Sequence, residues 1–331
     1  MERKTRVNLT YYIVLIALVL VSILVHCISD YVSSNQMDII FSMLTQVVCM
    51  FILPIVLYFI FIKPKSNFND LKEDFGFKPF KKGELSKVIL LGILAIFLNT
   101  VFADVNYGFL NLVGYKYPHS ASSDYRANIG LFFLDLFMTG MLPALCEETA
   151  HRGLFRLSYK DKPVQYILIS SLLFALMHQN IAQVIYTFFT GIMFASAVVF
   201  TGNIKASMIM HFMVNAVEVI GSLGIQLNSV ILAIKPVFFN LLYSSVFGKI
   251  VLVVLTILAL YLFVKTLYSF KSSEKFSFQK TKRMFLDGTL TVGYETSKKA
   301  TTMANVLFIA IIVVGIMSEV FTLIWGVIRW E

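Results

Sequence analysis

The stretch GLFFLDLFMTGMLPALCEETAHRGLF (residues 130–155) decides how this chain is built. It is apolar and long enough to cross a bilayer, because about 20 residues rising about 1.5 Å each cover a hydrocarbon core of roughly 30 Å. Yet it carries Glu147 and Glu148 side by side, with His151 and Arg152 one turn on. Ionisable groups at membrane depth are costly and by default mark function. The plain alternative is a helix end capped by charge at the membrane surface.

The rest of the chain repeats the apolar pattern. Of 331 residues, 58% are hydrophobic, 14% are charged and 31 are Phe, which is too apolar for a soluble protein of this length. Candidate spans fall at about 9–28, 38–62, 87–104, 130–155, 164–180, 182–201, 205–221, 249–268 and 303–328. The segment 225–247 is apolar but is interrupted by Lys235-Pro236, so it reads as re-entrant or interfacial. The expected fold is an all-α polytopic transmembrane bundle of about nine spans with one possible re-entrant segment.

Basic residues gather in alternate connections: the N-terminus (Arg3, Lys4, Arg6), 63–87, 156–162, Lys205 and 269–300. The connections between them carry few. The positive-inside rule then puts the N-terminus in the cytoplasm and the C-terminus outside. The net charge of +9 therefore reflects topology, and no nucleic-acid partner is expected. The first apolar run follows a basic start but ends in VHCISD, with no small-x-small cleavage site, and reads as a retained helix. Cys27, Cys49 and Cys146 have no disulfide or zinc spacing and read as inert apolar thiols, Cys146 included despite its place beside Glu147.

Polar groups with chemistry concentrate between residues 140 and 218. At helical spacing Glu148 and Arg152 share a face, while Glu147 falls in register with His151. Pro143, one turn earlier, is expected to kink the helix. His178 closes the next apolar helix in FALMH (174–178), and HFMVN (211–215) puts His211 and Asn215 on one face. Each pattern alone also fits helix–helix hydrogen bonding. Asp135 and Glu218 lie nearer the outer ends of their spans and read as interfacial.

Depth joins the three patterns. Counted from the basic ends, Glu147 lies roughly 13 Å in, His211 about 9 Å, Asn215 about 15 Å and His178 at most about 24 Å. Carboxylate, two imidazoles and carboxamide then overlap in depth and are expected to open toward the cytoplasm. Such a set supports hydrolysis: a carboxylate takes a proton from water and returns it to the leaving amine, and imidazole and amide N–H groups stabilise the oxyanion. Alternatively Glu147, His178 and His211 form a ligand set that zinc accepts, with a fourth position for water. There is no HExxH motif, and the residues alone do not separate the two mechanisms.

The ordered set E-E-x-x-x-R, F-x-x-x-H and H-x-x-x-N on successive helices resembles the CAAX protease and bacteriocin-processing (CPBP, or Abi) family of intramembrane endopeptidases, which includes the Ras-converting CAAX endopeptidase. The motifs stand here as Glu147-Glu148 with Arg152, Phe174 with His178, and His211 with Asn215. The resemblance covers about residues 75–222, and FGFKPFKKGE (75–84) looks like the family's entry to its core. It implies Glu147 as general base with His178, His211 and Asn215 as oxyanion site, and Glu148 and Arg152 as support. His151 stands where the family has an aromatic residue, which points to an altered pocket or a further polar neighbour for Glu147.

The expected organisation is an N-terminal pair of helices with an interfacial loop (1–74), a catalytic core (75–222) and a C-terminal extension with a basic loop (223–331). The expected activity is an intramembrane endopeptidase hydrolysing a peptide bond near the cytoplasmic face of a bacterial plasma membrane. Prenylated tails or, in bacteria, peptide pheromones, bacteriocin precursors or membrane-protein segments are the expected substrates, the second group being favoured since bacteria generally lack prenylated CAAX proteins. The rivals are a non-catalytic immunity or regulatory protein of the same fold, and a proton-coupled transporter. A transporter should show internal repeats, and none is visible.

Overall fold

The computed structural model describes residues 3–28, 39–116, 123–159, 162–270 and 298–328. All elements among these residues are helices: α1 (Arg3–Ile28), α2 (Ile39–Ile62), α3 (Phe68–Phe75), α4 (Glu84–Leu112), α5 (Ile129–Tyr159), α6 (Pro163–Leu176), α7 (Ile181–Thr201), α8 (Ile204–Gln226), α9 (Ile234–Tyr243), α10 (Val246–Tyr268) and α11 (Lys298–Ile328). Most of the expected basic connection 269–300 lies outside the described residues. The chain is a polytopic helical bundle, a multi-pass membrane protein.

Eight of these helices are long and apolar enough to cross a membrane. The expected count of nine needs correction at 164–180, where α6 has only 14 residues. At about 1.5 Å per residue it spans roughly 21 Å, short of the hydrocarbon thickness. The helix ends early, at Leu176; Asn180 accepts from the Ala182 N–H and starts α7, so the stretch folds into a tight α6–α7 hairpin. The ambiguous segment near 225–247 contains the ten-residue α9, too short to span, and Lys235 pairs there with Glu218 of α8.

The expected kink at Pro143 takes a different form. In α5 a π-helical stretch, Leu136–Met141, runs up to the α-helical segment Leu142–Glu148, and a second, Thr149–Gly153, follows it. In α2, Met43–Ile52 is likewise π-helical and ends two residues before Pro54. Proline has no N–H for the carbonyl four residues back, and a locally widened helix is one way to absorb the loss.

One end of the bundle collects the basic residues. Arg6 Nη1 donates to the Phe61 carbonyl at 3.1 Å, and Arg3 lies 3.6 Å from Asp74. Arg156 Nη1 donates to the carbonyls of Glu73 (3.0 Å) and Asp74 (3.2 Å), where α3 ends at Gly76 in the left-handed conformation (φ 85°). The α7–α8 turn joins the same end, because Asn203 Nδ2 donates to the Lys78 carbonyl at 2.9 Å. At the opposite end Asn106 Nδ2 donates to the Ala182 carbonyl at 2.7 Å, tying α4 to the α6–α7 hairpin. Tyr125 donates to Asp135 there at 2.9 Å, and burial together with that bond pushes its hydroxyl up to about 12.

The core that carries α5 is built from α1 and α2. Tyr11, Val7 and Val14 of α1 pack with Ala150, Leu154 and Phe155 of α5, all fully buried. Helix α11 lies against α1 and α6. Gly315 makes this approach possible, since a Cβ there would stand 2.8 Å from Leu176 Cβ.

Candidate active site

The glutamate pair ends the seven-residue α-helical stretch between the two π-helical stretches of α5, and both side chains are buried. Glu148 faces inward. Its Oε1 lies 3.1 Å from Arg152 Nη1 and 3.0 Å from His211 Nδ1. Arg152 is wholly buried, and three further contacts hold it in place. Its Nη2 donates to the Gly191 carbonyl at 3.2 Å, its guanidinium lies 4.4 Å over the Phe174 ring, and Tyr166 caps its carbonyl at 3.0 Å. The pair therefore joins α5, α6, α7 and α8 at one point.

Glu147 faces the other way. Its Oε1 accepts from Gln46 Nε2 of α2 at 2.7 Å. Its Oε2 is buried, has no hydrogen-bond partner among the described residues, and lies 3.9 Å from His211 Nε2. His151, expected in register with Glu147, is held through Nδ1 by the Tyr11 hydroxyl at 2.9 Å. Gln46 and Tyr11 were not singled out in the sequence; a lone amide inside the apolar span 38–62 was the available signal for Gln46.

The two histidines are oriented by their other nitrogens. His178 Nδ1 donates to the Phe174 carbonyl at 2.7 Å, which leaves Nε2 as the free acceptor. His211 Nδ1 faces the Glu148 carboxylate, which only accepts, so the proton sits on Nδ1 and Nε2 is turned to Glu147. Phe174 is the packing centre, with ring centroids 4.9 Å from His178, 5.3 Å from His151 and 5.7 Å from His211. Asn215 stands apart. Its Nδ2 donates to the Thr139 carbonyl at 2.9 Å.

Glu147, His151 and His178 line a cavity of about 350 Å³, whose other walls come from α1, α2 and the α6–α7 turn. His211 and Asn215 are not on its wall. The cavity does not extend toward the basic end, as the depth of Glu147 led us to expect. Its lining on α1 is Leu18 and Ser22, and on α2 it runs from Met50 to Phe41, both away from Arg6 and Ile62.

No three His, Cys, Asp or Glu side chains among the described residues come together as a metal-binding group. Glu147, His178 and His211 as arranged do not fit a zinc ion.

Comparison with protein families singles out this same part of the chain. Residues 129–217 match the type II CAAX prenyl endopeptidase Rce1-like family. No curated protein and no solved structure matches the chain. The Rce1-like segment runs from the start of α5 into α8, and it contains Glu147, Glu148, His151, Arg152, His178, His211 and Asn215. The resemblance drawn from the motifs is borne out, and the match supports a CAAX-type intramembrane protease. Tyr11 and Gln46 lie outside the Rce1-like segment, so α1 and α2 add to the candidate site from beyond it.

Proposed function

We propose that the chain is an intramembrane endopeptidase in which Glu147 activates the hydrolytic water. The observation that carries this reading is Glu147 Oε2, buried and without a partner among the described residues, on the wall of a cavity it shares with His178. A water at that wall gives its proton to Oε2 while its oxygen attacks the peptide carbonyl carbon. His178 Nε2, with Nδ1 committed to the Phe174 carbonyl, accepts from the same water and aims it. The C–N bond then breaks as the proton held by Glu147 passes to the amine nitrogen, leaving a carboxylic acid and a free amine.

Glu148 and Arg152 act through His211. They hold its ring so that Nε2 faces Glu147, which makes His211 a positioning residue for the base from outside the cavity wall. Asn215, which the resemblance puts at the oxyanion, spends an N–H on the Thr139 carbonyl and holds the backbone that leads to Glu147. The substrate is a peptide with an apolar side chain at the scissile bond, to match Leu18, Phe41, Met50 and Met177. By the positive-inside rule the basic end, with the N-terminus, faces the cytoplasm of a bacterial plasma membrane.

The test is cleavage of a membrane-embedded peptide by reconstituted protein, comparing wild type with Glu147→Gln and His178→Ala. Loss of cleavage in both is expected. Undiminished cleavage by either variant removes that residue from the mechanism, and by both it overturns the reading.

A further inference from the structure

We infer that the peptide reaches Glu147 from the end of the bundle opposite the basic cluster; the inference rests on the cavity being the reaction chamber. Three helices supply the argument independently. On α1, Tyr11 is level with His151 through their hydrogen bond, and the cavity is lined only beyond it, at Leu18 and Ser22. Ser22 stands about 16 Å further from the basic end than Tyr11, at the ordinary helical rise. On α2, which runs the other way and ends beside Arg6, Phe41 lies near the start of the helix and Ile62 at its end, so the cavity-lining stretch Phe41–Met50 is the half remote from the basic end.

The α6–α7 turn gives the third bearing. Helix α7 has 21 residues, about 31 Å, between Asn180 and the Gly202-Asn203 turn that is bonded to Lys78 at the basic end. His178 and Gln179, both on the cavity wall, therefore lie at the far end of that helix. Asn106, near the end of α4, bonds to Ala182 at the same level.

Toward the basic end the same helices are closed. Val7, Tyr11 and Val14 of α1, Arg152 and Phe155 of α5 and Tyr58 of α2 are each 0% exposed. A polypeptide entering from that side would have to displace this packed layer and the buried ion pair within it. Entry from the other end meets Ser22, Thr45 and Gln179, side chains that can bond a peptide backbone, before it reaches Glu147.

The measurement is the sidedness of thiol labelling, read without reference to activity. In a Cys27→Ser background, with Cys49 and Cys146 left in place because they are buried, three variants are compared: Ser22→Cys in the cavity, Arg126→Cys at the far end and Lys72→Cys at the basic end. Sealed vesicles of both orientations are treated with a membrane-impermeant maleimide. Ser22→Cys is expected to label in the vesicles that label Arg126→Cys. Labelling together with Lys72→Cys, or from neither side, overturns the inference. Cleavage by labelled Ser22→Cys is expected to fall to the level of Glu147→Gln. Labelling from the Arg126 side with no cleavage even by wild type supports the access route and counts against the peptidase reading alone.

Discussion

Asn215 donates a side-chain N–H to the carbonyl of Thr139, the carbonyl that Pro143 leaves without its usual helical partner. The bond ties α8 to α5 about two turns before Glu147, so a residue expected at the oxyanion site is committed to the backbone that leads to Glu147. A double-mutant cycle separates the two roles. Asn215→Ala is expected to lower stability by about 1 kcal/mol, the net value of one such bond, and to lower activity with it. Pro143→Ala supplies the missing N–H, so in the double variant much of both losses should return. A purely oxyanion role for Asn215 leaves no route for that rescue.

Glu148 is held between a buried guanidinium and a buried imidazole, so its substitution should act mainly on folding. Glu148→Gln leaves Arg152 buried without its counter-charge, which typically costs about 3–5 kcal/mol. Thermal unfolding in detergent should show a large drop. Arg152→Lys should not rescue the pair's function, because an ammonium cannot reproduce the stacking on Phe174 and the Gly191 bond together.

The Gln46 bond to Glu147 fixes which carboxylate oxygen remains free. Gln46→Leu is expected to lower kcat about ten- to a hundredfold, the kinetic equivalent of losing roughly 1.5–3 kcal/mol in a hydrogen bond to a charged group. KM should change little, since the amide orients the base. Steady-state kinetics with an unchanged melting temperature would confirm the role, and an unchanged kcat would remove it.

Helix α11, outside the Rce1-like segment, braces the hairpin that bears His178. Gly315 meets Leu176, and Thr322 Oγ1 accepts from the Ile181 N–H at 3.1 Å. Gly315→Leu should push α6 away and cost about 1–3 kcal/mol, the usual penalty of overpacking, with a matching loss of cleavage. Gly108→Leu on α4 is the control, because a Cβ there meets nothing within 4 Å. Equal melting temperatures for the two variants would show that α11 does not brace the hairpin.

Much of this architecture is legible in the chain because it depends on local spacing and on the solvent. Spans follow from apolar length, and Glu148 with Arg152 follows from a four-residue repeat that survives even where the helix widens. A turn near residue 181 is legible as the break between the spans 164–180 and 182–201, but the early end of α6 at Leu176 is not, because span length alone does not show that Met177–Asn180 leave the helix. The widened turns are not legible either, since a proline says that a hydrogen bond is missing but not how the backbone replaces it.

By itself, then, the sequence determined the all-α membrane bundle, the order of its motifs and a set of candidate site residues. All of these rest on what a bilayer permits and on contacts within one or two turns. Only the tertiary structure decided that Gln46 and Tyr11 join the site, that Asn215 serves a backbone carbonyl, and that the cavity runs away from the basic end. Those relations link residues about 80 to 140 positions apart. No periodicity encodes them; they arise when helices are packed and each buried polar group must find a partner.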